Sequence, residues 1–210
     1  MEFLLLTALA GAVLALDGTS MAQTMVSRPL VAAPVTGWLL GDPTLGLAVG
    51  ALLEVYLLVS FPTGGARSPE GATAAGVDAP GAVPLGVAMG LIWGQVGGLT
   101  VSGIRKVNAR LVPGPEAPQP NRISAAHALA VALDGLRGAV AAVVGVALGR
   151  PLVSLLASSW PLGGTESRAL LLAGGAVCAG ILLRSLGGFR RHRIVLALGM
   201  AVGLVGARFL

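Results

Sequence analysis

The chain has little of what a soluble or disulfide-stabilised protein needs. Cys178 is the only cysteine among 210 residues, which excludes a disulfide framework and a cysteine metal cluster. Charged residues make up only 11% of the chain and aromatic residues 4%, whereas 55% are hydrophobic. With a mean hydropathy of +0.86, these values lie outside the range of ordinary soluble domains. The composition therefore indicates an integral membrane protein.

The length leaves almost no room for a soluble module. A membrane span needs about 20 apolar residues, so 210 residues provide roughly six to eight crossings. The first apolar run, from Phe3 to Leu16, follows Glu2 where a secretory signal would carry positive charge, and it ends without a convincing cleavage site. We expect this run to be a retained helix.

The excess of positive charge is best explained by membrane orientation. The net charge of +5 comes from arginine and a single lysine, Lys106. Such residues concentrate in short cytoplasmic loops of polytopic proteins, so nucleic-acid binding is not indicated. Two basic clusters, at 105–122 and 190–193, are both predicted to face the cytoplasm. Two full spans between them would satisfy this orientation.

The apolar runs differ in length, and several are too short to cross a bilayer. They cover residues 3–23, 29–40, 45–61, 83–104, 123–148, 151–160, 168–186 and 194–210. The runs at 29–40 and 151–160 cannot span alone, and the Gly-, Ala- and Pro-rich stretch 64–81 is small enough to re-enter the membrane. The sequence thus predicts an all-α, polytopic membrane helical bundle with short, interrupted or re-entrant helices.

A proline-rich segment divides this bundle. Four prolines between residues 112 and 121 block regular helix and favour an exposed, extended connection. We predict a first membrane half at 1–111, a cytoplasmic linker at 112–122 and a second membrane half at 123–210. Glycines four residues apart predict close helix packing; they are Gly37 and Gly41, Gly46 and Gly50, Gly86, Gly90 and Gly94, Gly145 and Gly149, and Gly199 and Gly203.

Charged side chains recur through the first half in an otherwise apolar background. The series is Asp17, Arg28, Asp42, Glu54, Arg67 and Glu70. A charge near the bilayer centre costs roughly 2.5–3.5 kcal/mol, so such residues face a bundle interior or an aqueous cavity. Glu54 has no other charge within one turn of its own helix. We therefore predict that this stretch forms the substrate path.

The order and spacing of polar and glycine residues in this stretch resemble those of a known family. The pattern is Arg28-Pro29-Leu30, Gly37, Leu40-Gly41-Asp42, Gly46, Gly50, Leu53-Glu54, Gly64-Gly65-Ala66 and Pro69-Glu70. It resembles the IIC component of bacterial sugar phosphotransferase system permeases of the mannose/fructose/sorbose family. Gly94-Gln95, and His127 with Arg137 ten residues later, extend the resemblance. Pro69-Glu70 stands where the family has Pro-Asp.

The resemblance implies group translocation. A IIC subunit and a IID membrane subunit carry a hexose-like sugar across the bacterial cytoplasmic (inner) membrane, and cytoplasmic IIA and IIB proteins deliver phosphate from phosphoenolpyruvate. It also implies a trimeric assembly of IIC and IID pairs. The phosphoryl-carrying residues are then on other chains, so this chain is a multi-pass transport subunit and not by itself an enzyme. We expect no cofactor, no metal site and no catalytic residue.

Two sets of residues are predicted to serve this function. The substrate-binding set is Asp17, Gln23, Arg28, Asp42, Glu54, Gly64, Gly65, Glu70 and Gln95. Asp17 or Gln23 would supply the polar group that some relatives carry shortly before the Arg-Pro-Leu motif. The structural or coupling set is His127, Asp134 and Arg137.

Each of these roles has a structural alternative. Arg28 can cap a helix or reach the headgroups, and Asp42 between Gly41 and Pro43 is a common helix-start sequence. Gln95 suits either an interhelical hydrogen bond or a sugar hydroxyl. The remaining alternatives are a simple chain reversal at Gly64 and Gly65, a surface pair of Arg67 with Glu70, and an i, i+3 ion pair of Asp134 with Arg137.

Two other functions are compatible with the sequence. The first is a membrane binding or scaffold protein of the same fold that is uncoupled from phosphotransfer. The second is an intramembrane enzyme, which would require a nucleophile and a base; Ser27, near Arg28, is the one suggestive serine.

Overall fold

The protein is a bundle of helices of unequal length, in which two short helices follow one another. A computed structural model describes residues 2–21, 23–58, 81–111 and 120–206. These ranges form seven helices: α1 (Glu2–Thr19), α2 (Pro29–Leu39), α3 (Pro43–Leu57), α4 (Ala82–Leu111), α5 (Pro120–Ala157), α6 (Gly164–Ser185) and α7 (Phe189–Gly206). By length and composition α1, α4, α5 and α6 can cross a membrane, whereas α2 and α3 are shorter apolar helices. The predicted all-α membrane fold is confirmed.

Helices α2 and α3 form an antiparallel hairpin whose ends follow local sequence rules. Pro29 is the first residue of α2, where the missing N–H is not needed by the helix. Gly41 follows α2 with φ +89°, a conformation that glycine adopts at little cost. The Asp42 carboxylate then caps α3 by accepting the Leu45 N–H at 2.8 Å. These signals place the turn within residues 40–42.

The predicted break in the second half is wrong. Residues 123–148 and 151–160 were expected to be separate, but α5 continues through Pro151 to Ala157. Pro151 only removes the hydrogen bond to the carbonyl of Ala147, a loss that helices in apolar bundles tolerate. Helix α5 also begins at Pro120, so residues 120–122 are helical; the rest of the predicted linker, 112–119, lies outside the described residues.

Helix α1 of the first half packs closely against α5 of the second half. A Cβ added to Gly11 would overlap the Ala142 side chain and lie 2.7 Å from the Gly138 carbonyl oxygen. A Cβ on Gly138 would overlap Ala15 and lie 2.5 Å from the Gly11 oxygen. Each helix thus presents two small residues four positions apart, which lets the backbones touch. The predicted packing faces consist of glycine pairs only, so this contact between glycine and alanine residues was not predicted.

The predicted glycine pairs have mixed outcomes. Gly37, Gly46 and Gly50 line the contact between α2 and α3, where a Cβ on Gly46 would lie 3.0 Å from the Gly37 Cα. Gly41 does not pack but forms the turn, and Gly199 faces open space. The buried glycines of the other pairs are Gly86, Gly90, Gly94, Gly145 and Gly149.

A buried ionic network ties α1, α4 and α5 together. Arg137 Nε donates to Asp134 Oδ1 at 2.9 Å, and these side chains are only 8% and 1% exposed, which confirms the predicted i, i+3 pair. The hydroxyls of Thr19 and Ser20 donate to Asp134 Oδ2. Arg137 Nη1 lies 3.1 Å from Thr100 Oγ1 on α4. The end of α1 is therefore fixed against two other helices.

Helix α6 joins the bundle through α3. The Tyr56 hydroxyl donates to the Leu171 carbonyl at 2.9 Å. Leu171 also belongs to a buried apolar cluster with Val49, Leu53 and Val87. The last turns of α3 are thus held between α4 and α6.

Substituting Gly11 with alanine should destabilise the fold. The added methyl group forces α1 and α5 apart, and overpacking of this kind costs typically about 1–3 kcal/mol. We expect a lower apparent melting temperature of the detergent-solubilised protein. Gly180→Ala is the matched control, because a Cβ there has no atom within 4 Å. Equal melting temperatures of the two variants would contradict the close contact.

Substituting Arg137 should lower the stability of the fold more than substituting an exposed arginine of the same helix. Arg137→Gln leaves the Asp134 carboxylate buried without its cation, a change that costs about 3–5 kcal/mol in comparable pairs. Arg150→Gln, at an exposed position of α5, is the control. Combining Arg137→Gln with Asp134→Asn should recover part of the lost melting temperature. A double variant no more stable than Arg137→Gln alone would argue against a buried pair.

Candidate functional site

Arg28 and Glu54 meet at one end of the α2–α3 hairpin. Because the helices are antiparallel, the residue before α2 lies beside the last turn of α3. Arg28 Nε donates to Glu54 Oε1 at 2.8 Å, and Arg28 Nη2 contacts the same oxygen. The Leu30 N–H, in the first turn of α2, donates to Glu54 Oε2 at 3.3 Å. The carboxylate thus lies at the positive end of the α2 dipole.

This pair is partly open to its surroundings. The Arg28 and Glu54 side chains are 24% and 16% exposed, several times more than those of Asp134 and Arg137. A carboxylate has about four acceptor positions, so Glu54 Oε2 retains capacity for a further donor beside Leu30. Glu54 has no other charge within one turn of its own helix, but the fold supplies a partner in Arg28, the residue directly before α2.

Asp17 is near this site in sequence but directs its oxygens inward. It is 5% exposed and accepts hydrogen bonds from Thr24 N and Thr24 Oγ1, both at 2.6 Å, and from Ser27 N at 3.0 Å. Asp17 therefore fixes the backbone that leads into Arg28. Gln23, in the same connection, is exposed with φ 52°.

Two further predicted substrate residues, Asp42 and Gln95, lie elsewhere in the part of the chain that the structure describes. Asp42 caps the opposite end of α3, roughly 18 Å from Glu54 at 1.5 Å per residue, which supports the helix-start alternative. Gln95 is exposed on a face of α4 that also carries Ile92, Val96 and Leu99. Gly64, Gly65 and Glu70 lie outside the described residues.

The predicted coupling residues are similarly divided. Asp134 and Arg137 form the buried network, whereas His127 is exposed near the start of α5, roughly 15 Å along the helix from Arg137. Within the described ranges, no three His, Cys, Asp or Glu residues are grouped to hold a metal ion.

The residues with hydroxyl side chains that surround these charges were not predicted from the sequence. Thr19 and Ser20 bind Asp134, while Thr24 and the Ser27 backbone bind Asp17. The available signal was their concentration in the ten residues after Asp17. Short hydroxyl side chains often satisfy neighbouring carboxylates and turn backbones, so this concentration predicts a structured connection.

Comparison with known proteins bears on the family of the chain. Residues 1–199 match the family model described as "PTS system sorbose-specific iic component", where PTS is the phosphotransferase system. The chain is 28% identical over 171 residues to the PTS system sorbose-specific EIIC component of Klebsiella pneumoniae, covering 76% of this chain and 64% of that protein. It is 37% identical over 57 residues to the protein of the same name from Lacticaseibacillus casei, covering 27% and 21% respectively.

The chain thus spans just under two thirds of the length of the Klebsiella relative and about a fifth of the other. The family match itself includes α1 to α6 and the Arg28–Glu54 and Asp134–Arg137 pairs. On this match the chain belongs to the family of sorbose-specific IIC components of the PTS.

Proposed function

We propose that this chain is the sugar-translocating IIC subunit of a phosphotransferase system in the bacterial cytoplasmic membrane. The observation that carries the proposal is the partly open Arg28–Glu54 pair, held between two short helices in a protein whose described ranges include four helices long enough to span a bilayer. Short helices with polar groups at their ends are a common way to build a substrate site at membrane depth. Family membership favours this function over an uncoupled scaffold.

The pair offers both partners that a sugar hydroxyl needs. A hydroxyl donates to the Glu54 carboxylate and accepts from the Arg28 guanidinium, and both bonds are strengthened by the charges. Adjacent hydroxyls of one sugar ring can use the two side chains together. These contacts would replace the hydration that the sugar loses on leaving water, which is the main cost of moving it through an apolar layer.

The buried Asp134–Arg137 pair has a structural role in this proposal. With exposures of 1% and 8%, Asp134 and Arg137 cannot reach a solute without disrupting the contact of α1, α4 and α5. We assign them to holding the scaffold against which the hairpin is placed. Gly64, Gly65 and Glu70 are proposed to complete the sugar site, on the strength of the family resemblance alone.

The sugar and the partner proteins follow from the relatives. Both relatives are named sorbose-specific, so sorbose and other hexoses are the first ligands to test. Their name describes a component of a larger system. We propose that a IID membrane subunit and cytoplasmic IIA and IIB phosphocarriers complete that system, with IIC and IID pairs arranged as trimers.

Replacing Glu54 with glutamine should weaken sugar binding and uptake. Loss of one charge-assisted hydrogen bond is worth about 1.5–3 kcal/mol, which corresponds to roughly a 10- to 150-fold loss of affinity. Sugar-dependent thermal stabilisation of the protein co-expressed with its IID partner measures affinity, and uptake into cells measures transport. Glu166→Gln, in the exposed first turn of α6, is the matched control. Unchanged uptake by a normally inserted Glu54→Gln variant would reject the assignment.

This chain without its partners should not accumulate sugar. The phosphoryl-carrying groups are proposed to be on other chains, and the membrane path is proposed to need IID. Proteoliposomes containing only this chain are therefore expected to show background uptake of labelled hexose, and addition of IID, IIA, IIB and a phosphate source should restore it. Sugar accumulation by the isolated chain would contradict the proposed division of labour.

A further inference from the structure

The connection between α1 and α2 is fixed at both of its ends. At its start, the Thr19 and Ser20 hydroxyls are bound to the buried Asp134 carboxylate. At its end, Asp17 accepts the backbone N–H groups of Thr24 and Ser27. The Ser27 N–H belongs to the residue directly before Arg28, so the position of the guanidinium depends on this contact.

The backbone of this connection adopts a conformation that needs support. Gln23 has φ 52° and Met25 has φ 66°, the two non-glycine residues with positive φ in the described ranges. Such conformations cost of order 1–3 kcal/mol each and persist where surrounding contacts over-determine them. Asp17, with three donors on its two oxygens, is the side chain that supplies those contacts.

We propose that Asp17 is a positioning residue that presents Arg28 to Glu54, and not a sugar ligand as the sequence predicted. Asp17 is 5% exposed as a whole residue and its oxygens accept internal hydrogen bonds, whereas the Arg28 and Glu54 side chains are 24% and 16% exposed. The relevance to transport rests on the proposed function, but the positioning itself does not require a sugar. Asp17 thus acts on the site through Arg28.

A thermodynamic cycle without sugar tests this proposal. Apparent melting temperatures are measured for Arg28→Gln, Glu54→Gln and their double variant, first with Asp17 intact and then in the Asp17→Asn background. The coupling is the change in melting temperature caused by the double substitution, minus the sum of the changes caused by the two single substitutions. We expect a non-zero coupling with Asp17 intact and loss of that coupling in the Asp17→Asn background.

Matched variants separate positioning from general destabilisation. Thr24→Val removes one donor to Asp17 while keeping the side-chain shape, and Thr24→Ser restores the hydroxyl; the first should reduce the Arg28–Glu54 coupling and the second should preserve it. This pair replaces Asp17→Asn if that variant does not fold. Glu2→Gln, at the exposed start of the same helix, should leave the coupling unchanged.

The outcomes distinguish this inference from the proposed function. An Arg28–Glu54 coupling that survives both Asp17→Asn and Thr24→Val overturns the positioning role, even if both variants lower every melting temperature. Loss of coupling together with normal uptake by Glu54→Gln would uphold the positioning role and reject the sugar site. Loss of coupling with impaired uptake supports both.

Discussion

The cost of placing ionic groups among apolar helices governs how this protein is arranged. Asp134 and Arg137 form an ion pair that has almost no contact with solvent. The Thr19 and Ser20 hydroxyls donate further hydrogen bonds to Asp134, and the Thr100 hydroxyl accepts one from Arg137. A buried charge that loses its partner is far less stable than the pair, so the three helices are held in one relative position. That position fixes where α1 ends and where the chain toward α2 begins.

Two pairs of the same chemistry therefore have different consequences. The pair on α5 is enclosed and contributes to the scaffold, whereas Arg28 and Glu54 are partly exposed at the end of a hairpin. The difference comes from helix length and packing. Small residues let α1 and α5 approach until their backbones touch, and the Asp134 side chain beside this contact is only 1% exposed. The shorter α2 begins and α3 ends beside Glu54, whose side chain is 16% exposed.

The sequence predicted the helical class and the ends of α2 to within one residue, because proline at a helix start and glycine after its end are local signals. The prediction of a helix break at Pro151 was wrong. The rule that proline ends a helix is drawn largely from water-exposed helices, whereas α5 lies in an apolar bundle. Arg28 was not predicted as the partner of Glu54, because the turn between α2 and α3 brings the two residues together and they are far apart in sequence. Arg28 and Glu54 are equidistant from Gly41 along the chain, so an antiparallel hairpin centred there brings them together.

The Arg28–Glu54 pair also bears on how membrane voltage would affect the proposed transport. One guanidinium and one carboxylate in direct contact carry no net charge, and a hexose is itself neutral. Moving a net charge through the full field would be worth about 2.3 kcal/mol per 100 mV, whereas a neutral sugar bound to a balanced pair couples only weakly to it. The sugar-binding step would then be nearly electroneutral, so a change in membrane potential would alter it little.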